Sequence, residues 1–146
     1  MWNDEFILAH PIKMPTPCHI IVEGNPAIVY ASRGGTPNKV LPTLERFLDK
    51  FWQERDLSGE HSDTPECLLA QIVVRFGYEI CEDDFSNLKV GVNYDPTAEY
   101  LYLIASDRSV IVWETGEAYH QDPTLGLQAC QPSISTEWAT KPSVSQ

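Results

Sequence analysis

Arg33-Gly34-Gly35-Thr36-Pro37-Asn38-Lys39 is the segment whose residue types and spacing are best suited to chemistry. Glycines let a backbone approach a ligand closely. A helix start offers unpaired amides and partial positive charge to an anion. Arg33 and Lys39 add two cations to an acidic chain. Phosphate, nucleotide or carboxylate binding is the chemistry this pattern serves. The segment has neither the GxxxxGK[ST] nor the GxGxxG spacing, and its bland reading is a tight strand-to-helix connection capped by Thr36 or Asn38. The candidate ligand-binding residues are Arg33, Gly34, Gly35, Thr36, Asn38 and Lys39, with Tyr100 and Trp113 stacking a base if the sheet brings them near.

Three other groups are of types that can carry chemistry. Glu79, Glu82, Asp83 and Asp84 could converge on a divalent cation and serve a metal-dependent hydrolase, but their spacing is no EF-hand and a solvated helix end explains them. Tyr94, Tyr100, Tyr102 and Trp113 either meet a partner or form core and cross-strand pairs. Cys67 sits beside Leu68 and Leu69 and reads as a small buried hydrophobe. His10, His19, His61 and His120 are scattered, and no GxSxG or HExxH motif occurs. The four cysteines Cys18, Cys67, Cys81 and Cys130 lack CxxC spacing, so no zinc knuckle is signalled. No catalytic, metal or cofactor site is therefore expected, and the chain leans away from being an enzyme.

The elements that must hold these residues follow from periodicity. His19–Glu23 and Pro26–Tyr30 flank Gly24-Asn25 as a β-hairpin, Gly24 supplying the positive φ of the turn. Val40, Leu41, Leu44, Phe47, Leu48, Phe51 and Trp52 form one helical stripe, with Pro42 expected in its first turn. Asp63-Thr64-Pro65-Glu66 starts a second helix, with Leu68, Leu69, Ile72, Val73, Phe76 and Ile80 as its stripe. Residues 88–94, 99–104 and 110–113 read as strands separated by Asp95-Pro96-Thr97 and Ser106–Ser109 turns. The order is ββααβββ, grouped rather than alternating. It predicts an α+β fold: a mostly antiparallel five-stranded sheet with both helices on one face. The period of two puts Tyr100 and Tyr102 on one face of their strand and Leu101 and Leu103 on the other. Residues 1–17 form an extended proline-bearing arm, 18–116 a single domain, and 117–146 an irregular or partly docked tail in which Leu125, Leu127, Ile134 and Trp138 are the apolar anchors.

At 146 residues with 42% hydrophobic content, the chain can build one core. Its formal net charge of -11 repels duplex nucleic acid and anionic membranes. It suits a protein partner with a basic face, or solubility alone; a homo-oligomer is the other assembly expected. The start Met1-Trp2-Asn3-Asp4-Glu5 has no basic, apolar leader pattern, so a cytoplasmic protein with reduced thiols is the default expectation.

Val29-Tyr30-Ala31-Ser32-Arg33-Gly34-Gly35-Thr36-Pro37, followed by Val40-Leu41-Pro42-Thr43-Leu44-Glu45-Arg46-Phe47-Leu48, resembles a group of short, mostly uncharacterised phage and bacterial proteins. In that group a hairpin ends in a V-Y-x-x-x-D-G-Y-P-like turn and a V-L-P-x-L-x-x-F-L-like helix follows. Glu99–Ile104 and Val110–Val112 resemble its closing hairpin. Gly34 stands where Asp is usual and Thr36 where Tyr is usual. The resemblance implies a small accessory or mobile-element-linked protein and no particular activity. The sequence thus favours a small acidic binding or regulatory protein, such as an inhibitor of a host protein. A binder of a phosphorylated small molecule or nucleotide at the glycine turn is the second reading, and the acidic-cluster hydrolase the third.

Overall fold

The computed structural model describes residues 16–59, 65–79 and 88–133, with backbone alone for 77–79. The acidic residues Glu82, Asp83 and Asp84, the side chain of Glu79, Cys81, His61, most of the 1–17 arm and the tail beyond 133 lie outside what is described.

The described strands are β1 (Cys18–Val22), β2 (Ile28–Ala31), β3 (Leu88–Gly91), β4 (Tyr100–Ile104), β5 (Val110–Glu114) and β6 (Gln131–Pro132). The helices are α1 (Pro37–Ser58), α2 (Pro65–Glu79) and the short α3 (Glu117–Gln121), followed by a 3₁₀ segment over Pro123–Ala129. Helices and strands are segregated, so the fold is α+β. The sheet order is β3-β2-β1-β4-β5-β6.

The expected mostly antiparallel five-stranded sheet is replaced by a mixed six-stranded one. β1 and β4 pair in parallel at its centre, Cys18 opposite Tyr100 and Val22 opposite Ile104. β3 does not pair with β4 as a meander would require. It lies at the edge against β2, Ile28 opposite Gly91. The cause is the link between them. Residues 92–99 make no hairpin turn; they run across the sheet face away from α1 and α2, where Tyr94 and Ala98 join a buried cluster with Ile21, Ile28 and Leu101. Three strand spacings amount to roughly 14 Å, and the extended link reaches about 26 Å, so it can cross β2 and β1 and start β4 in the same direction as β3. β6 is a two-residue edge strand, with Pro132 opposite Trp113. An edge position tolerates a proline's missing donor.

The other face carries the larger core. Val40, Leu41, Leu44, Leu48 and Phe51 of α1 and Leu68, Leu69, Ile72 and Phe76 of α2 pack on Ile20, Val22, Val29, Tyr102, Ile104 and Val112 of the sheet. These are the buried members of the two expected stripes, while Phe47, Trp52 and Val73 are partly buried. Pro42 lies inside α1 rather than in its first turn, because the helix already begins at Pro37. There it removes the amide that would have met the carbonyl four residues back. At the far end of α1, Asp56 receives two bonds from Arg108, at 3.1 and 3.2 Å. That guanidinium also lies 4.4 Å over the Trp52 ring, tying α1 to the β4–β5 turn.

Candidate functional site

The glycine turn is occupied by its own fold. The Gly35 amide donates to the Thr16 carbonyl at 2.9 Å, and the Tyr102 hydroxyl donates to the Gly35 carbonyl at 2.6 Å. A Cβ on Gly35 would stand 2.5 Å from the Thr16 oxygen and 2.7 Å from Cys18 Cβ. The glycine is needed because the junction presses on the start of β1. Thr36 caps α1 with no side-chain bond; its carbonyl instead accepts the amides of Lys39 and Val40. Pro37 has no amide to give. Arg33, Asn38 and Lys39 are exposed and Gly34 and Thr36 half-buried. Tyr100 packs on the helix side of the sheet, whereas Trp113 pairs with Leu101 and belongs to the opposite face. The two aromatic candidates are therefore separated by the sheet itself.

What the fold brings together is the end of the sheet where β4 starts and β5 stops. Thr97, Glu99, Tyr100, Glu114, Thr115 and His120 line an open recess of about 230 Å³ there. Tyr100 and Glu114 are cross-strand neighbours. Glu99 and Glu114 are exposed and Tyr100 is half-buried. Burial raises the Tyr100 phenol above its ordinary value, and the nearby Glu114 and Glu99 carboxylates raise it further. The phenol thus stays neutral and faces two carboxylates, an arrangement that attracts a cation and repels an anion.

The recess is backed by a bonded scaffold. His120 Nδ1 donates to the Pro96 carbonyl at 2.7 Å, and Thr115 donates to the Ala98 carbonyl at 2.9 Å. Tyr119, fully buried, donates to the Asp95 carbonyl at 2.6 Å. The Asp95 carboxylate accepts from the Thr97 amide at 2.8 Å and from its hydroxyl. Burial pushes that carboxyl up, but the two Thr97 bonds, with Lys89 nearby, hold it below its ordinary value. Under this turn lies His19, whose Nδ1 donates to the Val29 carbonyl at 3.1 Å while its Nε2 accepts the Asp95 amide at 2.8 Å. The ring is therefore neutral with its proton on Nδ1. Burial is the main reason its pKa falls below the ordinary 6.5. Tyr30 closes the scaffold with a 3.0 Å contact to Thr97.

Sequence reasoning singled out Tyr100 but not Glu99, Glu114, Thr97 or Thr115 beside it. One signal was present: a tight turn after Ile104 pairs it with Val110, and counting back along both strands sets Glu114 against Tyr100. His120 had no such signal, because its place in the recess is set by its bond to the Pro96 carbonyl, 24 residues away. Among the described residues, no three His, Cys, Asp or Glu are grouped to hold a metal. Of the cysteines, burial pushes the Cys130 thiol up to about 11, and Cys67 lies 2.7 Å from the Arg55 guanidinium. No described helix is long and apolar enough to cross a membrane. Compared with protein-family models, with curated proteins and with solved structures, the chain matches none.

Proposed function

We propose that the protein is a small acidic binding or regulatory protein that takes a cationic side chain of a protein partner into the recess at the acidic end of its sheet. One observation carries the reading: two exposed carboxylates, Glu99 and Glu114, line one recess with Tyr100, beside a turn over residues 95–97 that is pinned by His19, Tyr30, Tyr119 and His120. A guanidinium or ammonium group finds charge-assisted acceptors there, two carboxylates and the polar groups beside them. Because the turn is already ordered, little is lost in arranging it on binding. The overall charge of -11 steers a basic surface toward the molecule. A mobile-element-linked inhibitor of a host protein fits this chemistry, as does regulation of a cytoplasmic partner.

Titration of the full chain with a short arginine-rich peptide, followed by calorimetry, tests the reading. Saturable binding is expected, weakening about tenfold in the double variant Glu99→Gln/Glu114→Gln and fading at about 0.5 M salt. An acidic peptide of equal length should give no heat. Equal affinity in the double variant, or equal binding of the acidic peptide, would overturn it.

A further inference from the structure

A buried imidazole anchors the turn beside the recess. His19 on β1 is 1% exposed, and its Nε2 accepts the Asp95 amide at 2.8 Å. The Asp95 carboxylate in turn accepts the Thr97 amide and hydroxyl, and Thr97 lines the recess. The Pro96 carbonyl between them accepts from His120, another lining residue. One acceptor lone pair inside the sheet face therefore holds a chain of bonds that ends at the recess wall. From the elements packed on it, the ring meets the Tyr30 phenol of β2 at 5.4 Å, the Tyr94 phenol at 5.6 Å and the Asp95 carboxylate. β4 places Leu101 opposite it, and Lys89 of β3 sits over the Tyr30 ring at 5.0 Å.

Nδ1 already donates to the Val29 carbonyl at 3.1 Å, so an added proton must go to Nε2. That nitrogen would then be a donor facing the Asp95 N–H, and the two repel. The Asp95 carboxylate, whose charge already acts on the ring, can accept from the new N–H by turning away from Thr97. The turn thus has two sets of bonds, one for each charge of the ring, which is what a switch needs. Asp95 favours proton uptake and burial opposes it more strongly, so uptake falls on the acid side of 6.5. We propose that His19 is a pH-sensitive latch on the recess: protonated, it releases the turn over residues 95–97, and the recess loses its hold on a cationic side chain. The loss of binding rests on the recess being a cation site, whereas the movement of the turn does not.

Nuclear magnetic resonance and calorimetry on the full chain between pH 7.5 and 5 provide the test. The amide signals of Asp95 and Thr97 should move together with the His19 ring signals, while those of Leu44 and Ile72 in the helix-side core hold and show that the chain stays folded. Asp95 itself titrates below 3.8 and does not contribute in this range. The short arginine-rich peptide should bind about fivefold more weakly at pH 5 than at 7.5. His19→Gln keeps an acceptor that does not titrate, so both changes should disappear. His120→Gln removes the other described imidazole at the recess, and both changes should persist. Fixed Asp95 and Thr97 signals in the native chain, equal movement in His19→Gln, its loss in His120→Gln, or a peptide affinity that ignores pH while the turn moves would overturn the proposal. A peptide that binds at no pH, with the turn moving as described, supports the latch and overturns the cation reading.

Discussion

His19 is 1% exposed and has both ring nitrogens committed, one to a carbonyl and one to an amide. A proton added at Nε2 would turn that nitrogen from acceptor to donor against the Asp95 N–H. The folded pKa accordingly lies below 6.5, chiefly through burial. As pH falls through that ordinary value, the unfolded chain gains a proton that the folded chain refuses. Stability contributed by His19 is therefore complete above about pH 6.5 and declines below it until the folded pKa is reached. Asp95 acts in the same direction at lower pH: its depressed pKa contributes stability above 3.8 that is lost as pH falls further. Chemical unfolding followed from pH 7.5 to 5 should show this first decline in the native chain. His19→Gln should flatten it while lowering stability at neutral pH by about 2 kcal/mol. An unchanged slope in the variant would remove His19 as the cause. Nothing around His19 in the sequence announces this role. Its partner amide is 76 residues away, and a histidine in an apolar strand looks the same with or without such a partner.

At the scale of elements, local patterns were readable and long-range pairings were not. The stripes on α1 and α2 and the period-two split of Tyr102 from Leu101 arise within single segments, and they reappear in the two buried clusters. The parallel β1–β4 pair depends on a link crossing a sheet face, and Asp95-Pro96-Thr97 reads locally like any hairpin turn. β6 is two residues long with a proline, too short to carry a period. The Ser32–Lys39 junction shows a related ambiguity. Its glycines suit a ligand cradle and a tight packing joint equally well, and only the position of β1 distinguishes them. Gly35→Ala tests the joint. The added methyl must displace the Thr16 backbone or the Cys18 side chain, so a loss of about 3 kcal/mol is expected by thermal or denaturant unfolding. A variant as stable as the native chain would show that the junction has room to yield.

Taken whole, the molecule divides its charge. Carboxylates gather where β4 begins and β5 ends, while cations gather between the helices, within a total of -11. Such an imbalance strains the compact state by self-repulsion. Raising sodium chloride from about 0.02 to 0.2 M shortens the reach of that repulsion to within a Debye length of about 7 Å. The melting temperature should therefore rise by a few degrees, roughly what about 1 kcal/mol produces in a domain of this size. A fall instead would indicate that attractive pairs such as Arg108–Asp56 outweigh the repulsion.

The innermost strands, β1 and β4, come from opposite halves of the polypeptide. Neither half owns a finished interior. During synthesis the ribosome must release the chain past Ile104 before the middle of the molecule can close. Until then β1, β2 and both long helices form an unsealed half with its apolar side open, and late, distant closure of this kind slows folding and invites aggregation. By the same logic, a cut between β2 and β4 leaves two pieces that are each incomplete and mutually complementary.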